Sequence, residues 1–263
     1  MTKKLGTALI TGASSGIGAI YADRLSRRGY DLILVARNAA LLNTLAKRLT
    51  DETGRSVEVV VADLGDKADL ARVEEILRTD ASITLLVNNA GIGATRPLLE
   101  SNIDKLDDLI TLNVNAVTRL TYAAIPGFVA RGGGTLINIA SIVAIAPEVL
   151  NGVYGASKAF VLALSQSLHS ELKDHNVRVQ VVLPGATATD FWAASGKPVE
   201  QLPSAIVMKA EDMVDAALVG LDLGEFATIP ALPDIADLAA YEAARQKLMP
   251  NLSSSVPASR YTA

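Results

Sequence analysis

Short runs of β-branched and aliphatic residues alternate along this chain with stretches that carry apolar residues at helical spacing. Residues 5–11, 31–36, 57–62, 84–88, 135–140 and 177–183 read as buried strands, each bounded by Gly, Asn or Asp. Residues 16–29, 39–53, 67–79, 103–130 and 154–174 read as the helices between them. Parallel strands need a crossover about as long as a helix, so this order predicts an α/β fold. Its sheet is parallel and doubly wound, with helices on both faces. A further helix at 210–222 and a run at 226–230 complete a seventh strand.

The turn after the first strand reads Thr11-Gly12-Ala13-Ser14-Ser15-Gly16-Ile17-Gly18. Gly12 permits a tight turn, Gly16 lets backbone approach a pyrophosphate, and Gly18 lets the helix pack on the sheet. The helix N-terminus then offers its N–H groups to an anion. The spacing, Gly-x-x-x-Gly-x-Gly, differs by one residue from G-x-G-x-x-G, and only the flanking strand and helix give it weight. The second strand ends Val35-Ala36-Arg37-Asn38, without the acid that holds a ribose 2′-hydroxyl. Arg37 is read either as a solvated surface residue or as a fork for a 2′-phosphate, and the phosphate reading implies NADP(H). Asp63, before Leu64, either accepts from an adenine amino group or caps the helix that begins near Asp66.

Tyr154 and Lys158 stand one helical turn apart on the same face. A Tyr side chain ordinarily titrates near 10, and a neighbouring ammonium lowers that value toward useful acid–base work. Ser141 closes the fifth strand, at the sheet edge where doubly wound folds bind ligands. There it either caps the strand end or donates to a substrate oxygen as charge develops.

Taken together, these motifs with Asn88-Asn89-Ala90-Gly91, Asn113 and Pro184-Gly185-Ala186-Thr187-Ala188-Thr189 resemble the short-chain dehydrogenase/reductase family, in family order from Leu5 to about Thr189. The resemblance implies a Rossmann-type fold and a single dinucleotide-binding and catalytic domain over residues 1–249. It includes a substrate loop at 186–209, and residues 250–263 form a C-terminal tail. The implied catalytic set is Asn113, Ser141, Tyr154 and Lys158. In that set Tyr154 is the general acid or base, and Lys158 lowers its pKa and bonds the nicotinamide ribose. Ser141 polarises the carbonyl, and Asn113 holds a water that relays protons toward Lys158. Asn115 does not match the family spacing. The implied cofactor contacts are Gly12, Ser14, Ser15, Gly16, Ile17, Gly18, Arg37, Asn38, Asp63, Leu64, Asn89, Ala90, Gly91, Pro184, Gly185, Thr187 and Thr189, with Tyr154 and Lys158. The expected activity is NADP-dependent interconversion of a ketone or aldehyde and its alcohol. A non-catalytic dinucleotide-binding regulator is the first alternative, but such proteins usually lose Tyr, Lys or Ser. A sugar-nucleotide epimerase or dehydratase is the second, and it usually carries an additional substrate domain.

Contacts with substrate are expected from 142–144, 148–151, 92–93 and the loop holding Phe191 and Trp192, unless those two aromatics only pack the loop. Most are apolar, and a positive group enters only if Lys197 or Arg96 swings in. The expected substrate is therefore a small, neutral, largely apolar carbonyl or alcohol. A net charge of −4 gives no pull toward nucleic acid or acidic lipid. The chain has no Cys and two His, which excludes disulfides and thiolate metal sites and argues against any metal centre. Met1-Thr2-Lys3-Lys4 lacks a signal-peptide pattern and no segment reaches a membrane span, so a cytoplasmic enzyme without a membrane partner is expected. A stripe of Phe160, Leu164 and Leu168, with the way relatives pair this helix across a two-fold axis, leads to an expected homodimer or homotetramer. An added helical pattern at 235–248 and a Ser-rich tail are either a frayed end or a docking element for a partner subunit.

Overall fold

The computed structural model describes residues 5–262. The expectation for Met1 to Lys4 lies outside them. Strands β1 (Thr7–Thr11), β2 (Asp31–Ala36), β3 (Val57–Val61), β4 (Ile83–Asn88), β5 (Gly134–Ile139), β6 (Val177–Val182) and β9 (Ala227–Thr228) form one seven-stranded sheet. Its order is β3-β2-β1-β4-β5-β6-β9 and every pairing is parallel. β7 (Thr187–Ala188) and β8 (Met208–Lys209) make a separate two-stranded ribbon. Chain direction across the sheet reverses between β1 and β4, which is the switch point where such sheets open a crevice.

Side-chain alternation assigns the helices to the two faces. Ala8 and Ile10 of β1 pack with α1 (Gly16–Arg28), α2 (Ala39–Thr53) and α8 (Ala210–Leu223). Leu9, between them, packs with α3 (Lys67–Thr79), α5 (Val117–Ala130) and α6 (Gly152–Glu171). Register holds these faces in place: Ile10 lies opposite Leu34 on one side and Val87 on the other. Buried Asp23 adds a polar tie between helices, accepting from Arg27 within α1 and from Arg48 of α2, each at 3.1 Å.

Four expectations change. β1 begins at Thr7 rather than Leu5, and the last strand has only two residues. The expected helix at 103–130 is α4 (Ile103–Ile110), then a π-helical segment at Thr111–Ala116, then α5. α6 begins at Gly152, not Tyr154, because Asn151 caps it by accepting from Val153 N–H at 2.9 Å.

The structure divides the chain at Pro230, earlier than the boundary read at 249. The second unit starts at Ala231 and contains α9 (Ile235–Lys247), none of whose residues is buried. Asp234 caps that helix, Asp237 lies in its first turn, and Arg245 and Lys247 lie in its last.

Candidate active site

The carboxyl ends of β1, β4, β5 and β6 bring the sequence motifs to one edge of the sheet. Thr11 fastens the first two together. Its hydroxyl donates to Val87 O at 3.2 Å and accepts from Asn89 and Ala90 N–H at 2.9 and 3.0 Å. Asn89 Nδ2 returns a bond to Thr11 O at 2.9 Å. Gly12 has φ +64, and a Cβ on Gly18 would lie 2.3 Å from Gly12 O. Both positions therefore admit only glycine. No side chain caps α1 at Ser15, and its first turn holds no acid. The N–H groups at Ser15–Ile17 are thus left for an anion, which is the donor set a pyrophosphate requires. A Cβ on Gly16 would come within 3.2 Å of Thr189 Cγ2, so the loop after β6 faces this turn.

Arg37 is exposed and meets Asp63 at 3.8 Å, a loose surface ion pair. Asp63 Oδ1 accepts from Gly65 N–H at 2.9 Å, while the cap of α3 is Asp66. Asn38 caps α2 through Leu41 N–H, and the Leu64 side chain is buried in the core. Of these four, Arg37 and Asp63 alone present charged side chains at the end of β2 and β3.

Of its two expected roles, Ser141 shows the capping one. Its hydroxyl accepts from Val143 N–H at 3.3 Å, capping a 3-10 turn, and donates to Pro184 O at 3.4 Å. Its side chain also stands close enough to the Tyr154 hydroxyl to act on its titration. Burial pushes that phenol up to about 12, with Ser141 pulling the other way. Lys158 is buried, and burial pushes its amine down to about 8. Its Nζ donates to Ile139 O at 2.9 Å and lies 5.9 Å from the centre of the Tyr154 ring. Lys158 was expected to lower the Tyr154 pKa. Burial is the larger of the causes acting on the Tyr154 phenol, and the ammonium donates to the Ile139 carbonyl.

Asn113 sits in the π-helical segment and is buried. Its Oδ1 accepts from Ile92 N–H at 3.0 Å, and its Nδ2 donates to Ile92 O at 2.9 Å and Ser157 Oγ at 3.2 Å. The side chain thus clamps the loop after β4 and does not reach Lys158 directly. Gly91 lies between the two: a Cβ there would be 3.0 Å from Asn113 Oδ1 and 3.6 Å from Lys158 Nζ. Asn115 is exposed. Below this layer Asn88 donates to Asn138, and Asn138 to Ser165, at 2.9 and 3.0 Å, locking α6 to the sheet.

Beyond Pro184, Gly185 is bordered by open space, and the Thr187 hydroxyl donates back to its carbonyl at 3.1 Å. The substrate loop then forms α7 (Phe191–Ala194). Trp192 is buried and donates to Thr187 O at 3.0 Å, so it packs the loop. Phe191 instead lies beside Tyr154. Asn151, expected to touch substrate, is committed elsewhere. Besides capping α6 it donates to Arg96 O at 2.7 Å and Ser101 Oγ at 3.1 Å. Ser157 was missed, as were Thr95 and Ser195, whose 2.7 Å bond joins two loops far apart in sequence. The Asn-Gly start of α6 carried a legible capping signal; the other three had none.

Among the described residues no group of three or more His, Asp or Glu side chains is placed to hold a metal. No helix among them is long and apolar enough to cross a membrane.

Comparison with known proteins agrees with this geometry. The chain is 36% identical over 186 residues to the very-long-chain 3-oxoacyl-CoA reductase of Anas platyrhynchos, covering 69% of this chain and 60% of that longer protein. A short-chain dehydrogenase from Sphingobium yanoikuyae, solved with NADPH, is 50% identical with a TM-score of 0.95, over 98% of this chain and 100% of the other. The bulky-bulky ketone specific alcohol dehydrogenase of Comamonas testosteroni is 44% identical with a TM-score of 0.91, over 98% and 99%. The family model for short chain dehydrogenase matches residues 6–200, across the sheet edge that carries all of these groups. The chain belongs to the short-chain dehydrogenase family.

Proposed function

We propose that this oxidoreductase uses NADP(H) to interconvert a neutral, largely apolar ketone or aldehyde and its alcohol, with Tyr154 as general acid and base. The observation that carries the reading is the buried phenol of Tyr154 beside Ser141 at the carboxyl edge of the sheet. Pushed up to about 12, that phenol keeps its proton at neutral pH and is available to donate it. Ser141 orients the carbonyl oxygen and bonds it more strongly as it gains charge. Lys158, pushed down to about 8, is still mostly protonated at neutral pH and stands beside the phenolate left behind. In the oxidative direction the same phenolate takes the alcohol proton back.

The residues fit the cofactor. Uncapped N–H groups at Ser15–Ile17 and the turn through Gly12 would hold the pyrophosphate, and Asn89–Gly91 would line the adenine ribose. Arg37 would bond the 2′-phosphate, and Thr187 and Thr189 would hold the carboxamide. Bound there, the nicotinamide supplies the hydride. The Sphingobium relative is seen with NADPH, which supports the same choice here. Around Tyr154 the partly buried neighbours include Ile92, Ala94, Ile142, Leu150 and Val153, a lining suited to apolar groups. The Comamonas relative, specific for bulky-bulky ketones, points the same way. We further propose a cytoplasmic homodimer or homotetramer.

The test is NADPH consumption by the purified protein against a panel of ketones and aldehydes. Tyr154→Phe should lower kcat about 100-fold or more. It should leave NADPH affinity within about threefold, because one hydroxyl is lost and little shape. In the same assay NADPH should outperform NADH by about tenfold or more, a margin that Arg37→Ala erases. Near-native turnover by Tyr154→Phe would move the proton donor elsewhere.

A further inference from the structure

Phe191 is held against the catalytic phenol more firmly than a mobile loop residue would be. Its ring centre lies 5.8 Å from that of Tyr154, tilted by 46°, and 6.0 Å from Trp192, edge-on at 87°. Buried Trp192 is pinned through its indole N–H to Thr187 O at 3.0 Å. Ser195, one turn on, donates to Phe191 O at 2.6 Å and accepts from the Thr95 hydroxyl at 2.7 Å through its own carbonyl. The ring also rests on Gly93. A Cβ at that position would lie 2.3 Å from Phe191 Cζ and 2.5 Å from Ser195 Oγ. No larger residue fits at 93 while the ring keeps its place. The remaining partly buried apolar neighbours of Tyr154 are aliphatic. Phe191, itself only partly buried, is therefore the aromatic surface offered to a group held next to the Tyr154 hydroxyl.

We propose that Phe191 is a specificity-determining residue that favours ketones bearing an aryl group beside the carbonyl over saturated ketones of the same size. The proposal rests on the carbonyl-reducing reading above and names its substrate class. A substrate whose oxygen bonds Tyr154 and Ser141 carries its substituents within reach of the Phe191 ring. A flat π-system there adopts the offset or tilted contact that aromatic pairs prefer, whereas a cyclohexyl ring of like area buries surface without it. Apolar burial is nearly equal for the two, so discrimination comes from the ring contact alone, worth about two- to tenfold.

The experiment compares kcat/KM for phenyl methyl ketone and cyclohexyl methyl ketone in wild type, Phe191→Leu, Phe191→Tyr and Gly93→Ala. Intrinsic reactivity differs between the two ketones but cancels when their ratio is compared across variants. The aryl-to-cyclohexyl ratio should fall about threefold or more in Phe191→Leu, and likewise in Gly93→Ala, whose new methyl displaces the ring. Phe191→Tyr should keep the wild-type ratio. If Phe191→Leu fails to fold, Gly93→Ala reads the same quantity without touching residue 191. A ratio that stays at the wild-type value in either active variant overturns the proposal. Wild type that consumes NADPH with neither ketone nor any member of the panel strikes the carbonyl-reducing reading instead, so the two failures are distinguishable.

Discussion

Among the described residues no carboxylate pairs with the buried amine of Lys158, and that has a cost readable from pH. Burial holds its pKa at about 8, against 10.5 for the ordinary side chain. Between those values the unfolded chain binds more protons at this position than the folded one, so stability gains from raising pH. The sign is that of a cationic group depressed by folding: the penalty is full below pH 8 and is relieved toward 10.5. Tyr21, Tyr30 and Tyr154 act oppositely, because burial raises all three phenols and their contribution falls once pH passes 10. The clean window is therefore pH 8 to 10. Urea unfolding of wild type and Lys158→Met across it should show the wild type gaining on the variant by up to about 1.4 kcal/mol per pH unit. A difference flat in pH would mean that the amine is not depressed. Tyr154, Lys158 and Ser141 were legible in the sequence because their chemistry is tied to spacing and to the end of a strand. Ser157 was not. Its role, accepting from Asn113 and donating to Tyr154 O, depends on a tertiary contact with a π-helical segment that spacing does not announce.

Elements that carry the site depend on small polar joints. Asn151 caps α6 and bonds the loop at Arg96 and Ser101, so one side chain sets both the start of the Tyr154 helix and the path of the loop across from it. Asn151→Ala should lose about 1–2 kcal/mol in urea unfolding, from the missing cap and the unpaired Arg96 carbonyl. Asn151→Asp should recover the cap, since a carboxylate oxygen still accepts from Val153 N–H, but not the bond to Arg96. Equal stability of all three proteins would show the joint to be idle. The long helix around Asn113 is where periodicity misled. Apolar spacing continues through 103–130, and a one-residue widening of the backbone at Thr111–Ala116 shifts that pattern too little to be seen. π-helical turns do concentrate at functional positions, and this one carries the candidate site residue Asn113.

At the scale of the molecule, the sheet was legible because strand–helix alternation leaves a parallel, doubly wound arrangement as the economical solution. The extent of the unit was not. The pattern at 235–248 has the apolar content of a core helix, yet α9 buries none of its residues. The stripe expected to form an interface also changes. Leu168 is in the core and Leu164 packs against it, so of the three only Phe160 is exposed, at 39%. Among the described residues, what remains uncovered on α5 and α6 is Tyr122 with Phe160, and in the second unit Ile235, Tyr241, Leu248, Met249, Leu252, Val256 and Tyr261. A 13-residue helix with no buried face is marginal in water even when well capped. Large apolar side chains left exposed in number are the mark of a surface that another chain covers, and a two-fold contact between copies is the commonest way to cover it. Light scattering at micromolar concentration should therefore return at least a dimer. Tyr122→Glu combined with Phe160→Glu should shift it toward single chains, if the two helices form the contact, at little cost to the fold, since both side chains already face water. A particle of single-chain mass in the unaltered protein would end the homodimer and homotetramer proposal.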